Sequence, residues 1–428
     1  MALPIDFDAA LDLIGTIDGT GVDLGESAPA YPDFPLPEYR QRYARLTALM
    51  GHLGIEALVF TQEEPVRYLT GYNSVIWAVG RWLPGAFLAT RNPRDAVLIP
   101  SAFDVGAATG STWVPTIDGH GDPMEIPAKV AQHLDRLGID RAKVAMERAT
   151  GSIVMLPYVA VAELMALVPA DGPDASVVIS ALRMLKSPAE VDRIRTIVRA
   201  TVAGYKVAMD GARIGMTEKE IVSMVATTLY ANGGTAGTKP LFLNAVAGPD
   251  RYSLADAPAS DRPTRDGDIM FLDGGAAGDG YISDIIRLLA FGEISSEQVH
   301  YAELAASATR AMIGAAVPGT PVTEVYQAGQ SVYVDAGIGD RSGAIFGHGI
   351  GLELWERPFI KVHDDPNENI RLRPGMTVCL EPILVPATES GDIAGIFVFE
   401  QQVAITDRGN EVLSAGVEQE LFRVSQHR

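Results

Sequence analysis

In the stretch IMFLDGGAAGDGYISDIIRLLAF, residues 269–291, two apolar runs flank a glycine-rich turn. That pattern is a hairpin signal. Asp273 and Asp284 lie symmetrically about a turn centre between Gly278 and Asp279. A regular hairpin with that centre sets them opposite each other on one face, roughly 5 Å apart. Two carboxylates so close repel unless they share a proton or hold a cation. The flanking apolar residues imply burial, which makes an uncompensated pair costlier still. An EF-hand calcium loop is excluded, because Gly275 and Ala277 occupy its third and fifth positions.

Three more residues extend the set. FGHGIGLELWERP, residues 346–358, packs His348 among Gly347, Gly349 and Gly351 and puts Trp355 seven residues further on. Glu381 ends the apolar run of GMTVCLEPILV, and Glu400 sits in the middle of the strand-like GIFVFEQQVAI. Taken singly, each glutamate reads as solvent-facing. Taken together, four carboxylates and one imidazole in strand or tight-loop contexts make a coherent set for two divalent ions. Oxygen-rich ligation with a single nitrogen suits Mn²⁺, Fe²⁺ or Co²⁺ at least as well as Zn²⁺. Such a pair polarises a carbonyl oxygen and activates water. Cys379 shares a strand face with Glu381. With no histidine partner to activate it, it reads as a small buried filler. The chain has no GxSxG, HExxH or P-loop, and GHGIG lacks the strand, helix and acidic partner of a nucleotide fingerprint.

The elements that must position these residues fall into two α/β domains. Residues 1–36 form a Gly/Pro/Asp-rich extension, expected to lie extended over the surface. EYRQRYARLTALMGHLGI has helical apolar spacing, with Gly54 as a stop signal. EALVF, a turn containing Pro65, GAFLAT and DAVLIP alternate strands with loops; a helix at about 123–138 and a strand in KVAMER complete a first domain over 37–183. Ser187-Pro188-Ala189-Glu190 starts a long amphipathic helix, and Thr217 with Glu220 forms a capping box for the next. Strands follow beyond residue 240, interrupted by helices at about 296–315 and 321–336, in a second domain over 184–428.

The order Asp273, Asp284, His348 in GHGIG, Glu381 in EP and then Glu400 resembles the pita-bread metallohydrolases. That family includes methionine aminopeptidase, Xaa-Pro aminopeptidase, prolidase and the non-peptidase creatinase. VRYLTGY and LRMLKSPAEVDRIR resemble its creatinase-type N-terminal domain and junction, so the likeness spans roughly residues 36–425. The resemblance implies a creatinase-like N-terminal α/β domain and a C-terminal pita-bread domain, α+β with a pseudo-twofold. It implies a dinuclear metal centre held by Asp273, Asp284, His348, Glu381 and Glu400. Asp284 and Glu400 would bridge, and Glu381 would handle the proton of the attacking water. It also implies a homodimer in which Tyr72, Trp77 or Trp82 from GYNSVIWAVGRW reaches substrate in the other chain's site.

Three substrate-facing positions depart from the peptidase pattern. Asp256, in YSLADAPASDRP, stands where the peptidases carry a histidine, and Trp355 stands where a second histidine follows the metal histidine. Phe397 replaces an arginine that could hold a substrate carboxylate, and His363 could substitute for a histidine only if its loop folds back. Asp256 can accept hydrogen bonds, bind a cation or act as an acid or base, while Trp355 either offers a face for a cation or simply packs a pocket wall. With Glu353 and Glu356 nearby, these changes predict a small cationic or zwitterionic substrate bearing an ammonium, guanidinium or sulfonium group. The expected reaction is dinuclear-metal-dependent hydrolysis of a small amide or peptide-like bond, Xaa-Pro peptidase-like with altered substrate residues. The alternative is a peptidase-like non-peptidase, either an elimination of the dimethylsulfoniopropionate lyase type or C–N hydrolysis of the creatinase or ectoine-hydrolase type. A metal-free adaptor is disfavoured, since buried acids without ions would be a liability.

A formal charge of -20 argues against nucleic acid, whose binding rests on Lys and Arg neutralising phosphates. A single cysteine precludes an intramolecular disulfide and fits a reducing compartment. MALPIDFDAALDLIG has no basic n-region, and no run of 18 apolar residues is present, so neither a signal peptide nor a membrane span is expected. A cytoplasmic location follows as the expectation.

Overall fold

The computed structural model describes residues 5–25, 28–80, 83–148, 154–169, 172–234, 242–388, 391–417 and 419–424. The chain forms two compact units, Met1–Arg183 and Met184–Arg428. Among the described residues no helix is long and apolar enough to cross a membrane.

The first unit is built on a five-stranded sheet in the order Thr116–Ile117, Val97–Ile99, Ala86–Thr90, Ala57–Phe60, Val144–Met146. The central pairs are antiparallel and both outer pairs parallel. Val130 and Leu134, from the helix Ile126–Leu137, pack on Val59, Leu88 and Met146 of the sheet. Two expectations are corrected here. The N-terminal extension holds a helix, Phe7–Gly15, rather than an extended lead-in: Asp6 caps it through Ala9 N, and Phe7, Ala10, Leu11 and Ile14 bury one stripe. Their spacing of three, four and seven is helical despite the surrounding glycines and prolines. Pro65 does not mark a turn but lies in the helix Glu63–Thr70, at its third position. There its missing N–H removes no intrahelical bond.

Glu147 follows the last strand and is 1% exposed. Its Oε2 accepts the Thr61 backbone N–H at 2.8 Å and the Thr61 hydroxyl at 3.2 Å. Burial pushes its carboxyl up to about 7. A carboxyl raised in the folded state lends stability that is fully present below its ordinary range and is lost as pH rises through the folded value. Stability of the first unit is therefore expected to fall by on the order of 3 kcal/mol between pH 4.5 and 7.5. Glu147→Gln should flatten that slope in urea titrations; an equally steep slope in the variant would assign it elsewhere.

The second unit repeats one arrangement twice: a helix pair against a sheet. Helices Pro188–Gly211 and Glu218–Ala231 both start with capping boxes, Ser187 with Glu190 and Thr217 with Glu220. Beside them lies a four-stranded sheet in the order Phe422–Val424, Ile285–Phe291, Asp268–Gly275, Phe242–Ala247. Helices Ser296–Ala315 and Val322–Asp335 accompany a five-stranded sheet in the order Glu356–Lys361, Ile345–Gly349, Thr377–Leu380, Gln401–Thr406, Gly409–Val412.

Candidate metal centre

The hairpin that carries the two aspartates pairs two residues away from the sequence expectation, its turn centre shifted by one. Gly274 lies opposite Ile285 and Asp273 opposite Ile286, with Gly278 opposite Tyr281. The turn residues are therefore Asp279 and Gly280, both left-handed at φ 49° and 85°. Asp-Gly is the favoured pair for such a two-residue turn. Asp284 is consequently diagonal to Asp273, two residues from the one directly opposite. A two-residue change of pairing preserves the side-chain face, so both carboxylates still point the same way.

Glu400 joins them from the second sheet. It immediately precedes the strand Gln401–Thr406, rather than lying mid-strand, and it is fully buried rather than solvent-facing. Its N–H donates to Ile286 O at 3.3 Å, and the guanidinium of buried Arg287 donates to its carbonyl at 2.6 Å. One oxygen each of Asp273, Asp284 and Glu400 lies within 4.8 Å of the others.

His348 sits on the strand Ile345–Gly349, directly opposite Cys379 on Thr377–Leu380. A Cβ on Gly347 would come 2.1 Å from Cys379 O, and one on Gly349 would come 2.3 Å from Arg357 O. Those glycines thus serve close strand approach around the histidine. His348 Nδ1 meets Gly349 O at 2.9 Å, which fixes the ring and leaves Nε2 as a lone-pair donor. Burial lowers its pKa to about 4, keeping the imidazole neutral. Glu381 leaves the end of the neighbouring strand, and its Oε1 lies 3.5 Å from His348 Nε2. The five residues of the expected ligand set therefore come to one place.

The electrostatics of that place call for a cation. Burial first and Glu381 second push Asp284 up to about 8. Burial and then Asp273 do the same to Glu381. Asp273 and Glu400 are held well above the carboxylate range by burial, then by Asp284. Asp284 Oδ1 and both Glu400 oxygens are buried with no N–H or O–H donor among the described residues. An orphaned buried carboxylate costs several kcal/mol, and divalent cations are the partner this donor set fits.

The substrate-facing positions divide. Trp355, 55% exposed, stacks on His348 with ring centroids 5.3 Å apart and planes at 25°. Asp256 is exposed, on the loop between strands Phe242–Ala247 and Asp268–Gly275, and its charge adds to the field on Asp273. Phe397 is buried against Tyr301, with centroids 5.5 Å apart. The ring nitrogen Nε2 of His363 meets Phe359 O at 2.8 Å. Glu356 is committed to buried Lys186, with Nζ 3.0 Å from Oε2, instead of waiting for a substrate cation. In the first unit Tyr72 and Trp77 are 2% exposed, their rings 5.8 Å apart, and the Tyr72 hydroxyl donates to Asp104 at 2.9 Å. Trp82 lies outside the described residues.

Two supporting residues escaped sequence reasoning. Lys186 anchors Glu356, whose Oε1 accepts the Glu353 N–H at 3.0 Å, and this braces the loop bearing Trp355. Glu218 is fully buried; it accepts from Ala247 N and Ser260 N, both at 2.8 Å, and so clamps the ends of the segment bearing Asp256. Both look like ordinary charged residues, one before a helix and one in a first turn, and only the long-range partner gives them a role.

Residues 192–407 match the family model of metallopeptidase family M24, and residues 42–185 match that of the creatinase/prolidase N-terminal domain. The uncharacterized peptidase YqhT of Bacillus subtilis is 26% identical over 376 residues, which is 86% of this chain and 96% of its own length. The Xaa-Pro dipeptidase of Pyrococcus furiosus is 29% identical over 238 residues, 55% of this chain and 65% of its own length. The solved structure of the Xaa-Pro dipeptidase from Bacillus anthracis has the same fold, with a TM-score of 0.77 at 24% identity over 90% of this chain and 100% of that one. With the ligand-type residues assembled and both family models matched, the chain belongs to metallopeptidase family M24: it is a metallohydrolase with a creatinase/prolidase N-terminal domain and a pita-bread catalytic domain.

Proposed function

We propose that this protein is a dinuclear-metal hydrolase that cleaves the C–N bond of a small amide or peptide-like substrate carrying a positive charge. The observation that carries the reading is the cluster of Asp273, Asp284 and Glu400, in which Asp284 Oδ1 and both Glu400 oxygens have no N–H or O–H donor among the described residues, beside a His348 covered by the exposed ring of Trp355. Asp273, Asp284, His348, Glu381 and Glu400 would hold two divalent ions, Mn²⁺, Fe²⁺ or Co²⁺ ahead of Zn²⁺. When bound, such ions supply Lewis acidity toward a substrate carbonyl and acidify water.

The chain's own residues do the rest. Glu381 takes the proton of the attacking water and passes it to the leaving nitrogen; burial and the charge of Asp273 keep its proton affinity high. Trp355 presents one face to His348 and the other outward, where a cationic group gains cation–π attraction. Asp256 adds a carboxylate for the same group. Phe397 supplies no charge for the carboxylate of an Xaa-Pro dipeptide, so such dipeptides are expected to be poor substrates. A homodimer is the expected working assembly.

The test is a turnover screen of metal-loaded protein against Xaa-Pro dipeptides, N-acyl amino acids, guanidino acids and sulfonium zwitterions. Release of an amine or urea-type product supports hydrolysis, whereas an alkene product from a sulfonium would make the enzyme a lyase. With the substrate so found, Trp355→Ala and Asp256→Ala are each expected to raise KM roughly 5- to 30-fold, about 1–2 kcal/mol of lost binding. Unchanged KM in both variants would overturn recognition of the charge.

A further inference from the structure

Cys379 has no part in the reaction as described, yet it occupies the centre. It is fully buried and stands directly across from His348. One ligand atom each of Cys379, His348 and Glu400 lies within 4.8 Å of the others. Glu400 is also a member of the all-oxygen group with Asp273 and Asp284, so it is common to both clusters. Its two oxygens are buried with no N–H or O–H donor among the described residues. The Cys379 thiol is the side-chain donor that faces Glu400, so sulfur, imidazole and carboxylate converge where a filler would need only apolar neighbours.

We propose that Cys379 is a thiolate ligand at the His348 end of the centre, which gives the two metal positions different chemistry. One is an all-oxygen position made by Asp273, Asp284 and Glu400. The other offers nitrogen, sulfur and oxygen from His348, Cys379, Glu400 and the neighbouring Glu381. Hard carboxylate donors suit Mn²⁺, while thiolate and imidazole select thiophilic ions such as Zn²⁺ and Co²⁺. The centre is thereby suited to two unlike ions, with the thiophilic one beside His348. As that ion enters, the sulfur–metal bond forms and the S–H bond breaks, and the proton goes to solvent. This inference rests on the metal-binding reading above; it adds a ligand and, at the His348 position only, brings Zn²⁺ level with Co²⁺.

Cobalt distinguishes the two. Metal-free protein is titrated with Co²⁺ alone and followed by absorption, in the parent and in Cys379→Ser and Cys379→Ala. The parent is expected to show a near-ultraviolet sulfur-to-cobalt charge-transfer band together with the visible ligand-field bands. Cys379 is the only cysteine, so the band has a single possible source. Both variants should keep the visible bands and lose the ultraviolet one. Zn²⁺ affinity should fall about tenfold or more, the scale on which even outer-shell partners act, with Mn²⁺ affinity changed little. Co²⁺ bound by the parent without the ultraviolet band, or a band that survives in Cys379→Ser, overturns the thiolate assignment and leaves the metal site standing. A parent that binds no Co²⁺ overturns both.

Discussion

Stripped of metal at pH 8, Glu400→Gln is expected to melt above the parent; loaded with divalent ions, it is expected to melt below it. Glu400 is fully buried, and neither of its oxygens has an N–H or O–H donor among the described residues. At pH 8 the folded, metal-free parent must either keep that charge out of water or take up a proton against its ordinary affinity. Either course costs stability, because a carboxyl raised in the folded state contributes stability only below its ordinary range and loses it as pH rises. The neutral amide avoids the cost, so the metal-free variant's melting temperature should rise by several degrees. Divalent ions reverse the order, since binding to the folded state alone stabilises by mass action and the amide is the poorer ligand. Differential scanning calorimetry with and without Mn²⁺ reads both arms. Parallel curves in the two conditions would mean that no cation is held by Glu400.

Glu381→Gln should leave the protein folded and largely metal-loaded while kcat falls by about 10²- to 10⁴-fold, the usual worth of a positioned acid or base. The amide keeps an oxygen donor 3.5 Å from His348 Nε2 but cannot accept a proton. KM should change little, because substrate is held by other groups. The parent's rate should also fall as acid blocks Glu381 from accepting, and the variant should lose that limb of the pH profile. A folded, metal-loaded variant within tenfold of parental kcat would remove Glu381 from proton transfer.

Much of this was legible in the chain. Capping boxes at Ser187 and Thr217 mark helix starts because a hydroxyl and an acid three residues on satisfy two N–H groups locally. The ordered acids and one histidine announced a cation because their apolar settings left nothing else to neutralise them. Register was harder. Reading the turn as centred before Asp279 overlooked the Asp-Gly pair, though the error of two residues left the face intact. The helix Phe7–Gly15 was hidden among glycines and prolines, whose local signals outweighed a four-residue apolar stripe. The Lys186–Glu356 pair, the Glu218 clamp and the Trp355–His348 stack join residues brought close only by the fold. No local pattern encodes them.

Metal stoichiometry is the most direct measurement. Protein stripped of metal, reloaded with a mixture of divalent ions and gel-filtered should retain about two ions per chain, as a two-metal hydrolytic centre requires. Asp284→Asn, which removes a buried acid at the middle of the cluster, should retain fewer than about one. A parent that holds less than about one ion per chain, with no further loss in Asp284→Asn, would contradict a dinuclear centre built on these carboxylates.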